Sequence, residues 1–404
     1  MACWIRVVQP MGQWVRRRWW VPAILLLAGL IGFGLIRALV RREPLHAGRP
    51  VSAWARDLNH PDPLVRSNAT TALRAVGPDA VPSLLRLLKK RDSRLKKPFL
   101  DAAPGLPLAV RLAFIRVVKP FDAEIDRLAA VQALTVLGTN VPVAPLARAL
   151  HDPGRHIAAQ AATALGQMGR PAVPALITAL SDRDGYVRSM AGYALSLSGP
   201  SAVEAVPALI QRFADPERGI PPQAVYALSR IGSPAVPALT ASLKHPDPRT
   251  RAGAARSLGT LRPVDTNAVQ ALIDTARDAD LEVRHAVVEA IGQTQPYSPQ
   301  SVAALTNALA DAEAVIRRKA LEGLQRGGRR AAPAVPSLMV ALNDENDEIR
   351  AGAARVLAKI GPAAEPALQN LYARLNDPSP AVRSNVLQAL KSIAPADAPP
   401  PRSP

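Results

Sequence analysis

The chain has 404 residues, 48% of them hydrophobic but only 4% aromatic, with 40 prolines and a formal charge of +18. That apolar content excludes a chain too polar to build a core, so the prolines must follow a rule rather than mark disorder. A single cysteine, Cys3, excludes an intrachain disulfide, and its place ahead of the apolar segment excludes a lipoprotein.

The positive charge is local. Residues 1–57 carry nine arginines against Glu43 and Asp57, and residues 81–119 carry ten Lys/Arg against Asp92 and Asp101. These two stretches hold +15 of the +18, so the remainder of the chain is nearly neutral.

Trp19 to Ile36 is a run of 18 residues without a charge. It is just long enough to cross a hydrocarbon layer of about 30 Å at ~1.5 Å per residue. Ala38 to Val40 extend it while Arg37 snorkels; Trp14, Trp19 and Trp20 mark an interface, and Arg16, Arg17 and Arg18 suit headgroups. No small-x-small site follows in Arg37-Ala-Leu-Val-Arg41-Arg42-Glu43, so the segment reads as an uncleaved signal anchor. The expected order is a basic tail at 1–18, a single transmembrane helix at 19–40 and a linker at 41–50. The arginine triplet and short tail favour a cytoplasmic amino terminus, which places the rest outside the cytoplasm of a bacterial cell membrane.

An irregular basic insertion at 86–120 follows the first helical stretch. Arg86, Lys89, Lys90, Arg91, Arg94, Lys96 and Lys97 form either a solvated helix extension or a contact for anionic lipid or an acidic protein partner. No aromatic residue interleaves with these charges, and Pro98 to Pro107 break the helix, which argues against nucleic acid.

The strongest signal is periodic. Asp278, Asp311, Asp344 and Asp377 recur every 33 residues, each followed six positions later by Arg284, Arg317, Arg350 or Arg383. Asp182 and Arg188 repeat the unit; His60…Arg66 and His245…Arg251 do so with His for Asp. Between 343 and 375, Asn343-Asp344-Glu345-Asn346-Asp347 opens a helix, and Ile349, Ala353, Val356, Leu357 and Ile360 give it a 3.6-residue stripe. Gly361-Pro362 ends it. A second stripe follows at Ala367, Leu368, Leu371, Tyr372 and Leu375. Elsewhere the second helix opens with Ala-Val-Pro, at Pro82, Pro174, Pro207, Pro237 and Pro336, where the missing N–H of proline costs nothing. Helix pairs this short cannot bury their stripes alone and must stack. The pattern predicts an all-α solenoid of about ten helix pairs over 51–394, its last unit a single helix from Pro380 to Ile393, and a disordered Pro-rich tail at 395–404.

An Asp followed six residues later by a basic residue, at the turn into the first of two helices, resembles the HEAT repeat of the armadillo-like helical class. The short period and the Ala-Val-Pro-Ala-Leu run are most similar to the short HEAT repeats of phycobilin lyases. Gly48-Arg-Pro-Val-Ser-Ala-Trp54 and the basic run also resemble the opening of membrane-anchored bacterial HEAT-repeat proteins. The resemblance implies a structural ladder joining Asp182, Arg188, Asp278, Arg284, Asp311, Arg317, Asp344, Arg350, Asp377 and Arg383 to neighbouring units. It is expected to be interrupted at the units starting near 121, 151 and 214, which lack the arginine.

No catalytic set emerges. His151 and His156 fall on different helix faces, with no Cys or Glu to complete a metal set, and no His-Glu dipeptide or phosphate-binding loop occurs. No cofactor is expected. The reading is a membrane-tethered scaffold without catalytic activity, binding protein on the concave face that the resemblance assigns to its second helices, which expose Thr, Ser and Asn. The alternatives are an accessory lyase-type protein acting on a chromophore-bearing partner, implied by the resemblance, and nucleic-acid binding.

Overall fold

The computed structural model describes residues 43–91, 122–138, 141–261, 266–294 and 298–394. The expected transmembrane helix at 19–40, most of the basic insertion and the tail at 395–404 lie outside the described residues. Among the described residues no helix is long and apolar enough to cross a membrane. Two compact units divide the chain, unit 1 at Met1–Val136 and unit 2 at Leu137–Pro404.

The described part of unit 1 begins with a short hairpin, β1 (Leu45–His46) and β2 (Arg49–Pro50), not anticipated in the linker. Ala47 and Gly48 turn it at positive φ. Helices α1 (Val51–Asp57), α2 (Pro63–Val76), α3 (Val81–Leu88) and α4 (Asp122–Leu137) follow. The hairpin is pinned by Trp54 of α1. Its indole N–H donates to the His46 carbonyl at 3.1 Å, and the Arg49 guanidinium lies 4.2 Å from the ring centroid. Glu43 accepts from the Ser52 amide at 3.0 Å, covering one orphan donor of α1.

Unit 2 alternates second and first helices. The first helices are α6 (Arg155–Met168), α8 (Gly185–Ser198), α10 (Ile220–Ile231), α12 (Pro248–Thr260), α14 (Leu281–Gln293), α16 (Ala314–Gly327), α18 (Asp347–Ile360) and α20 (Pro380–Ile393). The second helices are α5 (Val143–Ala149), α7 (Val173–Ala179), α9 (Val206–Gln211), α11 (Val236–Ser242), α13 (Thr266–Thr275), α15 (Pro299–Ala308), α17 (Val335–Ala341) and α19 (Leu368–Ala373). Each first helix packs on the next first helix, from α6 through α20, which makes one layer. The second helices make the other, with α5 on α7, α9 on α11, α11 on α13 and α13 on α15.

Helix starts and stops follow from local chemistry. Asp184, Asp247, Asp280 and Asn346 each accept the amide two residues on, capping α8, α12, α14 and α18. Gly169, Gly199, Gly232, Gly328 and Gly361 sit at positive φ and break the chain into a short 3₁₀ turn. Pro174, Pro207, Pro237 and Pro336 then stand at the second position of the following helix.

The core lies between the layers. Ile349, Val356, Leu357 and Ile360 of α18 are at most 1% exposed, and burying each such side chain is worth about 2 kcal/mol. The second stripe of that unit is narrower than its sequence suggests. Leu371 is fully buried, but its neighbour Tyr372, the next residue of α19, is 40% exposed. First helices touch almost backbone to backbone: an ideal Cβ on Gly292 would lie 2.9 Å from the Cα of Gly323.

Candidate interaction surface

The ladder residues come together, but not within a unit. Each arginine reaches the aspartate 27 residues further on, at the turn of the following unit. Arg188 grips Asp215 with two bonds of 2.9 Å, Arg251 grips Asp278 at 2.7 and 2.8 Å, and Arg350 grips Asp377 at 2.9 and 3.0 Å. Arg284 donates to Asp311 through Nε at 3.0 Å. Arg317 donates to Asp344 through Nη2 at 2.9 Å, while its Nε, 2.8 Å from Oδ2, is out of line for a hydrogen bond.

The aspartate six residues before each arginine contributes a carbonyl instead. Arg350 Nη1 donates to the Asp344 and Glu345 carbonyls, and Arg317 Nη1 to those of Asp311 and Ala312. Each aspartate side chain also accepts the amide two residues on, as Asp377 does from Ser379 and Asp344 from Asn346. One carboxylate therefore closes its own turn and the joint to the previous unit.

These contacts set the carboxyl pKa values. The Arg350 hydrogen bonds hold Asp377 below the ordinary carboxylate value against the opposing effect of burial, and Arg251 does the same for Asp278. Burial pushes Asp215 up, but the Arg188 fork and the Glu217 amide together bring it below that value. Asp182 is lowered by the Asp184 amide and, against burial, by His151.

Several members went unforeseen. Asp215 follows Asp182 by one 33-residue period, so its signal was present, and Arg251, already a copy of the unit behind His245, proves to be a joint residue. His151 is different: its Nε2 lies 2.8 Å from Asp182 Oδ2 and fills a joint expected to be empty. The unit near 214 has Pro221 six residues after Asp215. There the Phe213 ring covers Gly253, where an ideal Cβ would fall 2.3 Å from the ring. Arg383 keeps its two carbonyl bonds, to Asp377 and Pro378, and has no carboxylate among the described residues.

Within unit 1 the basic run is partly committed to the fold. Lys90 Nζ lies 2.5 Å and Arg56 Nε 2.6 Å from the two oxygens of Asp126, whose side chain is 2% exposed. Burial pushes Asp126 up, but these two cations bring it below its ordinary value. Arg86 donates to Ser83 at 2.8 Å, while Lys89 and Arg91 are exposed. Arg94, Lys96 and Lys97 lie outside the described residues.

On the second-helix side of unit 2, an open groove of about 910 Å³ is framed by α13, the turn 276–279 and α15. Asp274, Arg277, Thr306, Asn307 and Ser337 line it, and the Arg284–Asp311 pair borders it. Arg277 and Asn307 are exposed, and Asp274 accepts from Gln270 at 2.9 Å. Further along this layer Val340 is 73% exposed on α17, followed by Tyr372 on α19. Among the described residues no three His, Cys, Asp or Glu side chains could hold a metal ion.

Two layers of short helices, stacked in register and tied by repeated Arg–Asp joints, define an α-solenoid. The family model for HEAT repeats matches residues 118–196, 173–245, 236–325 and 335–401, more than half of the 404 residues. The chain belongs to the HEAT-repeat family. No curated protein matches it. Among solved structures it is similar to the karyopherin Kap121p bound to the extreme C-terminus of the protein phosphatase Cdc14p, with a TM-score of 0.53 and 14% identity over 86% of this chain. This chain spans 42% of that karyopherin chain. An engineered protein is matched over 85% of this chain and 98% of its own, at 20% identity and a TM-score of 0.38. At these identities the likeness shows the fold alone.

Proposed function

We propose that this protein is a membrane-tethered scaffold without catalytic activity, which holds a segment of a protein partner along the second helices of unit 2. The observation that carries this reading is the groove beside α13 and α15. Its hydroxyl and amide side chains suit the backbone of an extended segment, and exposed Val340 and Tyr372 supply apolar anchors beyond it. A chain of similar fold, the karyopherin Kap121p, is bound to the extreme C-terminus of another protein, which supports the reading by analogy of fold. The charge-free run at 19–36 supports the tether to a bacterial cell membrane.

The test is site-specific photocrosslinking of the full-length chain in its native membranes. A photoreactive residue at Asn307 or Val340 should give a discrete protein adduct, and one at Ser384 on α20 should give none. Equal adducts at all three positions, or none at any, would overturn the reading. A reporter fused after Pro404 gives the orientation: activity of a periplasmic-type reporter is the expected result.

A further inference from the structure

The two edges of unit 2 differ in charge. Acidic residues crowd the turns that precede the first helices, where they cap amides and accept the arginine joints. The opposite edge, where first helices end and 3₁₀ turns begin, is cationic. Arg230, Arg326, Arg329, Arg330, Lys359 and Lys391 are all exposed there, and none has a carboxylate partner among the described residues. Arg326 donates only to the Gly292 carbonyl, at 3.3 Å. Arg170 is neutralised by Glu204 at 3.0 Å, which leaves Glu365 as the opposing charge among the described residues.

Neighbouring units meet along the described part of this edge. An ideal Cβ on Gly199 would lie 3.6 Å from the Arg230 carbonyl oxygen, and one on Gly361 would lie 3.8 Å from that of Ser392. At these two joints the turn abuts the end of the next first helix. The same edge carries two apolar side chains in water: Leu197 at the end of α8 and Val203 in the following turn, each 42% exposed.

We propose that this edge is a membrane-contact surface that rests on anionic lipid headgroups. Its cations would lie among the phosphates, and Leu197 and Val203 would reach the boundary with the acyl chains. Each basic residue near an anionic leaflet contributes favourably, and an apolar side chain at the same depth adds burial. Nucleic acid fits less well: these cations are exposed on helix ends and one 3₁₀ turn, and among the described residues the one exposed aromatic ring beside them is Tyr226, a single turn before Arg230. The edge is distinct from the groove beside α13.

The test uses the full chain reconstituted in two kinds of vesicle, phosphatidylcholine alone and phosphatidylcholine with a minor share of phosphatidylglycerol. A fluorophore is placed at Ser201 in a Cys3→Ser background and quenched by a lipid-borne nitroxide. Quenching should rise about fivefold or more when phosphatidylglycerol is present, and should fall back in Arg326→Gln/Arg329→Gln/Arg330→Gln. A fluorophore at Ser181 on the acidic edge should not respond. The variant Arg183→Gln/Arg218→Gln/Lys244→Gln, with the same change in net charge on the other edge, should keep the quenching. Equal quenching in both vesicles, an equal response at Ser181 or equal loss in both variants would overturn the proposal. So would retention of a short DNA duplex that is lost in the first variant without any lipid response. The arginines flanking the anchor and the basic run at 86–97 are the same in both variants, so loss of the response in the first variant alone is due to the edge, and a missing phosphatidylglycerol dependence counts against the edge and leaves the groove reading untouched.

Discussion

The guanidinium of Arg350 holds the carboxylate of Asp377 by two parallel hydrogen bonds of 2.9 and 3.0 Å, with the aspartate side chain fully buried. Arg383 occupies the same repeat position one unit later and makes the same two carbonyl bonds, without a carboxylate among the described residues. The pair separates the cost of the joint from the cost of the side chain.

Arg350→Ala should destabilise unit 2 by about 3 kcal/mol, because it leaves the buried Asp377 carboxylate with only the Ser379 amide and the distant Arg374, 3.9 Å away, to offset its charge. Arg383→Ala loses only exposed or half-exposed carbonyl bonds and should cost about 1 kcal/mol. Urea unfolding followed by circular dichroism checks both. Equal shifts would mean the carboxylate joint contributes nothing beyond its carbonyl contacts.

Acid should loosen the stack in a defined window. Asp126, Asp182, Asp215, Asp278 and Asp377 all lie below their ordinary value when folded. Their contribution is therefore complete above the unfolded value of about 4 and is lost as pH falls through the lower folded values. His285 is pushed down, chiefly by burial, so it adds a loss beginning as pH falls below about 6.5. Melting temperatures between neutral pH and strong acid should show a shallow fall followed by a steep one. His285→Gln should remove the shallow fall alone.

Two glycines give opposite outcomes. Gly292→Ala drives a methyl against the Gly323 backbone, which cannot swing aside, and should cost about 1–3 kcal/mol. Gly185→Ala finds the carboxylate end of exposed, flexible Glu217 as its nearest neighbour and should be neutral to within about 0.5 kcal/mol. Thermal melts of the two variants test the distinction.

Val340→Asp changes a side chain that is 73% exposed, so stability should move by less than about 0.5 kcal/mol. Crosslinking from Asn307 should nevertheless fall, because the apolar anchor beside the groove is gone. Loss of both stability and crosslinking would assign Val340 to the fold.

Much of the architecture was legible because each unit states its own punctuation. Asn346 and Gly361 bracket α18, and the proline of each Ala-Val-Pro run stands where a helix tolerates it. The period also located the joint residues, but a repeat length cannot say which neighbour an arginine reaches, so the 27-residue offset needed coordinates. Asp126 was hidden for another reason. It belongs to no periodic position, and its partners Arg56 and Lys90 stand 70 and 36 residues away. The groove could not be read at all, since Asp274, Asn307 and Ser337 come from three units whose lateral offset depends on packing.

The direction of the Arg–Asp joint makes the stack asymmetric in time as well as in space. The donor always precedes its acceptor in the chain, so a unit leaving the ribosome carries an arginine whose carboxylate has not yet been synthesised. A guanidinium on an unfinished surface is still solvated by water, and the next turn closes over it when it arrives. Shortening from the carboxyl end therefore exposes another well-solvated cation. Shortening from the amino end strips the arginine from an aspartate that the remaining units already bury, so deletions from the two ends of unit 2 are not equivalent.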